Sequence, residues 1–209
     1  MPHDGPWQVI VPVKPSARAK SRLQPPRGVD RATLAHAMAR DTLASAATAV
    51  GACHVWLVSA EGSIRDFAGG FGCRLVDDPC EGLNAAVSAG LTEAGGVGTR
   101  LAVLLGDLPS LRPEELRTAL SRCAQHRVAA VADRHAEGTT LLTGIAVPLT
   151  PLFGPGSAGR HREQLGAVMV AGALPGLRCD VDDLDDLATA TGIGLGAHTA
   201  AVLDDPARA

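Results

Sequence analysis

Short apolar runs alternate with alanine-rich stretches along most of this chain of 209 residues, and this alternation restricts the fold more than any other feature. Apolar runs this short are typical of strands, whereas the longer stretches between them have helical spacing. Strand and helix in alternation predict an α/β fold, with a mostly parallel sheet flanked by helices. Because 46% of the residues are apolar, the chain can fill one substantial core, and we expect a single domain over residues 1–209.

The predicted elements follow from these runs and from helix end signals. Strands are predicted over residues 7–13, 54–59, 73–76, 101–105, 128–132, 141–147 and 177–182. Helices are predicted over residues 30–50, 84–94, 113–126 and 184–191. Asp30 is the expected N-cap of the first helix, and Pro113 suits the first position of the third. The end of the chain, from about residue 197 to residue 209, is expected to be a loose tail.

Composition and charge exclude several classes of protein. The net charge is −3 and aromatic residues make up 2% of the chain. We therefore expect no nucleic-acid partner, since phosphate backbones attract basic surfaces and single strands stack on aromatic rings. No apolar run approaches the roughly 18 residues of a membrane span, and the start lacks the pattern of a signal peptide. With five cysteines and no C-x-x-C spacing, we predict a cytoplasmic protein with reduced thiols and no membrane contact.

A basic segment follows the first predicted strand. In open α/β sheets, ligands bind beyond the carboxyl ends of the strands, so the residues that follow each strand are candidates for chemistry. This segment has four cationic side chains in nine residues, namely Lys14, Arg18, Lys20 and Arg22. It lacks the glycines of a P-loop, yet its cations suit a polyphosphate. A solvated basic surface loop is the equally weighted alternative.

Two acidic segments follow later strands. Asp107 comes just after the fourth strand, where a carboxylate is a natural Mg²⁺ ligand, with a turn cap as the alternative. Asp180 and Asp182 fall in the seventh predicted strand, whose alternation would place both carboxylates on one face, roughly 6–7 Å apart. Such carboxylates repel unless a cation lies between them, which favours a divalent metal. The alternative is that Asp182 caps the following helix.

Three further segments carry weaker signals. Residues 82–84 open a helix, where amide groups could read the edge of a base. Residues 138–140 could offer hydroxyl and amide groups to an anion, and residues 154–161 could wrap a phosphate. Ordinary turn chemistry explains each of them equally well. His161 is interpreted as part of a solvated helix start rather than as a catalytic base.

Six of these segments together resemble one known family. In the family's order they are VPVKPSARAKSRL at 11–23, DPCEGLN at 78–84, LLGDLP at 104–109, ADRHAEGTT at 132–140, FGPGSAGRH at 153–161 and CDVD at 179–182. The set resembles the CofC/FbiD family, which comprises phosphoenolpyruvate and 2-phospho-L-lactate guanylyltransferases of coenzyme F(420) biosynthesis. The resemblance implies a nucleotide-diphospho-sugar-transferase-like fold. It also implies transfer of GMP from GTP to a phosphorylated three-carbon acid, with release of pyrophosphate.

The resemblance assigns roles to individual residues. The family's carboxylates that hold two Mg²⁺ ions match Asp107, Asp180 and Asp182. Its residues that contact the phosphate and carboxylate of the acceptor match Thr139, Gly154 and Ser157. Its basic loop for the triphosphate matches Lys14, Lys20 and Arg22. The position where related transferases hold the base matches Gly82, Leu83 and Asn84. Direct catalytic roles fall to Asp107 and Lys20.

The resemblance leaves alternatives open. Phosphoenolpyruvate is the expected acceptor, because an alanine-rich composition with more arginine than lysine fits a GC-rich actinobacterium; 2-phospho-L-lactate is the alternative acceptor. Another nucleotidyltransferase would act on a different phosphorylated precursor. A non-catalytic nucleotide-binding regulator or a structural interaction module would have no use for the metal carboxylates. The sequence leaves the oligomeric state open, with a homodimer as one option.

Overall fold

Seven strands in the described part of the chain form one sheet. The computed structural model describes residues 5–14, 23, 25–95 and 99–204. The strands are β1 (Trp7–Pro12), β2 (Val55–Val58), β3 (Arg74–Val76), β4 (Arg100–Leu104), β5 (Val128–Ala132), β6 (Thr139–Ile145) and β7 (Val168–Met169). Their order across the sheet is β3-β2-β1-β4-β6-β5-β7.

Seven α-helices flank this sheet within the described ranges. They are α1 (Arg31–Val50), α2 (Gly62–Gly70), α3 (Leu83–Ala94), α4 (Pro113–Cys123), α5 (Ser157–Leu165), α6 (Leu184–Ile193) and α7 (Ala197–Asp204). The predicted α/β fold with a mostly parallel, helix-flanked sheet is confirmed. Helix α1 begins as expected after Asp30, whose carboxylate accepts the N–H of Thr33 at 2.9 Å. None of the described helices is both long and apolar enough to cross a membrane.

Strand β6 is the exception to the parallel arrangement. It pairs antiparallel with both of its neighbours, β4 and β5. By contrast, β3 pairs parallel with β2, β2 with β1, and β1 with β4. Only residues 133–138 connect β5 to β6, and so short a connection permits a hairpin but no parallel crossover. The hairpin returns the chain at the carboxyl end of β5. Thr139, the first residue of β6, therefore lies at the edge of the sheet where ligands bind in this class of fold.

The core covers both faces of the central strands. On one face, Val9 and Val11 of β1 pack in a cluster with residues of α1 and α4. On the other face, Ile10 packs in a cluster with Ala86 of α3. All three β1 side chains are fully buried, which explains why this strand is apolar at successive positions rather than alternating.

The predicted strand over residues 177–182 is wrong. Leu177, Cys179 and Val181 are buried at every second position, as in a strand, but the segment pairs with no strand of the described sheet. Cys179 and Val181 pack instead in a cluster with α1 and α6 side chains. The alternation of buried residues therefore arises because one side of the segment is buried, and it does not indicate strand pairing through backbone hydrogen bonds.

The predicted loose tail is wrong for residues 197–204, which form α7. Asp41 of α1 caps this helix, because its carboxylate accepts the N–H groups of His198 at 2.9 Å and Thr199 at 2.8 Å. A Cβ at Gly196 would come within 2.3 Å of the Asp41 side chain, so glycine permits this close approach. Residues 205–209 lie outside the described residues.

Candidate active site

A cleft lies at the carboxyl ends of β1, β4 and β5. Its largest cavity, of about 470 Å³, is lined by residues from six segments, including Lys14, Asp107, Thr139, Gly154, Ser157, Asp180 and Asp182. Two adjoining cavities of about 340 and 140 Å³ share Lys14 and Leu83 with it, and Gly82 lines one of them. The fold thus brings most of the predicted site residues together. Lys20 and Arg22 lie outside the described residues.

Asp107 is placed by a close contact between the ends of β1 and β4. A Cβ at Gly106 would lie 2.9 Å from Cγ2 of Val13 and 3.1 Å from the carbonyl oxygen of Pro12, so glycine lets the two strand ends meet. Thr42 of α1 supports the same turn, because its hydroxyl oxygen accepts the N–H of Leu108 at 3.1 Å. The half-buried Asp107 side chain is thereby held at the cleft.

The segment that carries Asp180 and Asp182 lies directly against Asp107. The N–H of Val181 donates to the carbonyl oxygen of Asp107 at 3.1 Å. Asp183, rather than Asp182, caps α6, since its side chain accepts the N–H of Asp186. The alternative of Asp182 as a helix cap is therefore not what the structure shows, and both Asp180 and Asp182 line the cleft.

Asp186 holds this segment in place although it does not line the cleft cavity described above. One of its carboxylate oxygens accepts the N–H groups of Asp182 at 3.0 Å and Asp183 at 3.2 Å, and the other accepts two N–H groups of Arg134 at 3.0 and 2.7 Å. Burial alone would raise the pKa of Asp186, but these hydrogen bonds and the charge of Arg134 outweigh burial and lower the pKa. The carboxylate stays ionised and ties the 180–183 segment to the turn before Thr139.

That turn, residues 133–138, is built on Asp133. Its carboxylate accepts the N–H groups of Glu137 at 3.0 Å and Gly138 at 2.6 Å. A Cβ at Gly138 would lie 2.5 Å from Oδ2 of Asp133, so the carboxylate can approach only a glycine at this position. Asp133 was not among the predicted site residues, although it lies in the segment ADRHAEGTT, five residues before Gly138.

His161 lies behind Thr139, and its interpretation as a solvated residue is wrong. Its side chain is fully buried, edge-on to the ring of Phe153 at a centroid distance of 5.0 Å. Nδ1 lies 2.9 Å from Oγ1 of Thr139, and Nε2 accepts the N–H of Leu152 at 3.2 Å. Burial, together with the nearby charge of Arg160, lowers the pKa of His161 to about 4, so the ring is neutral at neutral pH.

This low pKa makes stability depend on pH. Between pH 6.5 and about 4 the unfolded chain protonates His161 and the native protein does not, so the free energy of unfolding falls as pH drops through this window. We expect the loss from this residue to approach about 3 kcal/mol at the acid end. Urea unfolding of the wild type and of His161→Asn across the window measures it. The variant should lose less stability with falling pH, and equal pH dependence in both proteins would contradict the prediction.

The loop over residues 152–157 forms one wall of the cleft and is held by two side chains. The amide of Asn84 spans Phe153: its Oδ1 accepts the N–H at 2.8 Å and its Nδ2 donates to the carbonyl oxygen at 3.2 Å. Arg160 donates to the carbonyl oxygens of Leu152 and Pro155. The structure thus turns the Asn84 amide toward the loop, while the adjacent Gly82 and Leu83 line the cleft.

The donor set of the cleft suits a hard divalent cation. Five carboxylates line the largest cavity of the cleft, from Asp107, Asp133, Glu137, Asp180 and Asp182. In the described ranges, no three His, Cys, Asp or Glu side chains are close enough to hold a metal ion by themselves. Mg²⁺ needs no such cluster, because it commonly takes one or two carboxylates and completes its shell with substrate phosphates and water. Asp107, Asp180 and Asp182 fit that mode of binding.

Comparison with known proteins agrees with this geometry. Residues 28–184 match the family model of the MobA-like NTP transferase domain. The chain is 42% identical to a phosphoenolpyruvate guanylyltransferase of Geodermatophilus obscurus, covering 97% of this chain and 96% of the relative. It is 39% identical to a phosphoenolpyruvate guanylyltransferase of Mycolicibacterium paratuberculosis, covering 95% and 93%.

The solved structures that are similar to this chain support the fold alone. A nucleotidyl transferase from Methanothermobacter thermautotroptrophicus superposes with a TM-score of 0.58 at 17% identity, over 90% of this chain and 98% of the other. A nucleotide-diphospho-sugar transferase structure from Desulfovibrio desulfuricans gives a TM-score of 0.65 at 12% identity, over 96% and 95%. Both share the architecture of the sheet and its flanking helices.

Proposed function

Since the chain belongs to the MobA-like NTP transferase family and, within it, to the phosphoenolpyruvate guanylyltransferases, we propose that it transfers GMP from GTP to phosphoenolpyruvate. The products are enolpyruvyl-diphospho-guanosine and pyrophosphate, and the reaction serves coenzyme F(420) biosynthesis in the cytoplasm. The observation that carries this proposal is the convergence of Lys14, Asp107, Asp180 and Asp182 with Thr139 and Ser157 in one cleft.

The reaction is an in-line displacement at phosphorus. A phosphate oxygen of the acceptor attacks the α-phosphorus of GTP, the bond from the α-phosphorus to the bridging oxygen breaks, and pyrophosphate leaves with the bonding electron pair. An ionised phosphate is already a nucleophile, so the site needs no general base. The buried, neutral His161 therefore does not act as a general base in this reaction. The protein contributes position and charge neutralisation.

Charge balance in the cleft supports a divalent metal. The acceptor and the triphosphate are both anionic. The described lining residues of the cleft's largest cavity include one cation, Lys14, and five carboxylates. Mg²⁺ bound there would supply neutralisation of the charge on both anions. Asp107, Asp180 and Asp182 would hold two such ions. Lys20 and Arg22 follow Lys14 in sequence and would add positive charge at the triphosphate.

The acceptor is assigned to the wall formed by Thr139, Gly154 and Ser157. Helix α5 starts at Ser157, and the N-terminal end of a helix favours anions through its N–H groups and its dipole. Gly154 has φ of 123°, a conformation that side-chain-bearing residues rarely adopt, so the loop can present its backbone to the ligand. The nucleotide is assigned to the adjoining cavity near Lys14, Gly82 and Leu83.

Ser157→Ala tests this division of the cleft. Because the hydroxyl is assigned to the acceptor, we expect the KM for phosphoenolpyruvate to rise about tenfold, the effect of one lost hydrogen bond to a charged group, while the KM for GTP changes little. Initial rates of pyrophosphate release, with one substrate varied at a time, measure both constants. A matched control is Ser121→Ala, an exposed residue of α4 that lines none of the cleft cavities. Equal increases in both KM values would move Ser157 out of the acceptor site.

The activity itself is tested by pyrophosphate release with four nucleotides and two acceptors. We expect release with GTP, phosphoenolpyruvate and Mg²⁺, and little with ATP, CTP or UTP. Pyrophosphate release with GTP and 2-phospho-L-lactate, and not with phosphoenolpyruvate, would show that 2-phospho-L-lactate is the acceptor. The assignment as a guanylyltransferase would then still hold. Preference for another nucleotide would point to a different nucleotidyltransferase, and binding of GTP without any release would point to a regulator.

A further inference from the structure

We propose that His161 is a positioning residue for the acceptor: its Nδ1–H donates to Thr139, which leaves the hydroxyl proton of Thr139 to donate into the cleft. The recipient is an anionic oxygen of the phosphorylated acid. This inference rests on the proposed function for the identity of the ligand. The direction of the hydrogen bond rests on the structure alone.

The direction follows from which partners can donate. The backbone N–H of Leu152 can only donate, so Nε2 of His161, 3.2 Å away, must offer a lone pair. A neutral imidazole that accepts at Nε2 carries its one proton on Nδ1. Nδ1 lies 2.9 Å from Oγ1 of Thr139, so the ring donates and the hydroxyl oxygen accepts. The hydroxyl proton is then directed away from the ring.

The surroundings keep the ring in this state. His161 is fully buried and Thr139 is 2% exposed, so water does not compete for their hydrogen bond. The ring packs edge-on against Phe153. Of the two arginines adjacent in sequence, Arg162 is exposed, and the guanidinium of Arg160 donates to the loop carbonyl oxygens of Leu152 and Pro155. Burial lowers the pKa of the ring, so protonation, which would remove the acceptor at Nε2, does not occur near neutral pH.

The hydroxyl of Thr139 is placed to use its proton on a ligand. Thr139 lines the same cavity as Gly138, Gly154 and Ser157. Because the hydroxyl oxygen accepts a hydrogen bond from the ring, its own proton is oriented away from the ring. A hydroxyl oriented in this way binds an anionic oxygen more strongly than a neutral group. The same imidazole also holds the N–H of Leu152, at the start of the 152–157 loop. The buried imidazole of His161 therefore orients the Thr139 hydroxyl and also holds the start of the 152–157 loop.

Two substitutions separate the two ring nitrogens. In His161→Asn, the side-chain NH₂ takes the position of Nδ1 and can still donate to Thr139. In His161→Gln, the side-chain oxygen reaches the position of Nε2 and can still accept from Leu152. We expect Asn to keep the KM for phosphoenolpyruvate within about threefold, and Gln to raise it about tenfold with the KM for GTP unchanged. A purely structural histidine would move both KM values together, or give the two variants the same profile, and either result overturns the proposal.

A second arm tests whether His161 acts through Thr139. Thr139→Val removes the hydroxyl through which His161 would act. The double variant Thr139→Val/His161→Gln should therefore have a KM for phosphoenolpyruvate less than about twofold above that of Thr139→Val alone. Full additivity of the two substitutions would overturn the proposal.

The tautomer can be read without turnover. Long-range ¹H–¹⁵N correlation spectra of the wild type at pH 7 should show His161 protonated at Nδ1 and unprotonated at Nε2, with the signal assigned by its loss in His161→Asn. Protonation at Nε2, or at both nitrogens, would overturn the inference. Wild-type protein with this tautomer but no guanylyl transfer would instead refute the proposed function and, with it, the acceptor as the recipient of the Thr139 proton.

Discussion

Replacing Asp107 with alanine is expected to reduce kcat by at least about 10²-fold, comparable to the loss of one preorganised electrostatic stabiliser. The same loss is expected for Asp180→Ala and Asp182→Ala. Each carboxylate lines the cavity where the proposed metal ions would offset the charge of the triphosphate and of the attacking phosphate. Pyrophosphate release at saturating substrates and Mg²⁺ measures the effect.

The fold should survive these substitutions. One contact between the two acidic segments is a backbone hydrogen bond from the N–H of Val181 to the carbonyl oxygen of Asp107, and a change of the Asp107 side chain leaves both of its groups in place. Asp185→Ala is the matched control, because Asp185 is an exposed carboxylate in the first turn of α6. The control should turn over like the wild type. A folded Asp107→Ala protein with a normal rate that still depends on Mg²⁺ would remove Asp107 from the mechanism.

The largest loss of stability is expected for Asp186→Ala. Asp186 is 6% exposed, and its removal leaves Arg134 and the N–H groups of Asp182 and Asp183 without the carboxylate that they share. We expect the free energy of unfolding to fall by at least about 2 kcal/mol, because one buried carboxylate accepts four hydrogen bonds, two of them from a charged guanidinium. The urea midpoint should drop, with an unchanged slope of free energy against urea concentration.

The same substitution should also lower activity at temperatures where the protein stays folded. Asp180 and Asp182 lie on the segment that Asp186 holds, so a looser segment presents the carboxylates less precisely to a metal ion. Asp186→Asn keeps the size and one acceptor oxygen but loses the negative charge, and we expect it to fall between alanine and the wild type. Asp185→Ala serves again as the control. Stability of Asp186→Ala equal to that control would show that the Arg134 contact contributes nothing.

The sequence correctly predicted those helices and strands whose capping residues and apolar spacing lie within the element itself. Helix α1 has a capping Asp30 and an alanine-rich body, and β4 has an unbroken apolar run. Residues 177–182 show the limit of such signals, since burial of alternate residues looks alike in a strand and in an irregular segment against a cluster. Helix α7 depends on Asp41, which is distant in sequence, and no local pattern announces that cap.

The cleft was predictable to the extent that carboxyl ends of strands meet at one edge of a sheet. This rule alone brings Lys14 and Asp107 together, and the hairpin after β5 adds Thr139. The supporting contacts were not predictable, because Thr42, Asp133 and Asp186 act through bonds to backbone groups that the fold brings near. His161 was misread because two arginines flank it. Arg162 is exposed and Arg160 bonds to the 152–157 loop, whereas the imidazole lies in the core.

The mass of the product is the most direct measurement of the central claim. Purified protein is incubated with GTP, Mg²⁺ and either phosphoenolpyruvate or 2-phospho-L-lactate, and the nucleotides are separated and weighed by mass spectrometry. We expect a new species equal to GMP joined to phosphoenolpyruvate through a diphosphate, with one pyrophosphate for each GTP consumed. Unchanged GTP with both acceptors, or conversion only to GDP and inorganic phosphate, would contradict guanylyl transfer in this cleft.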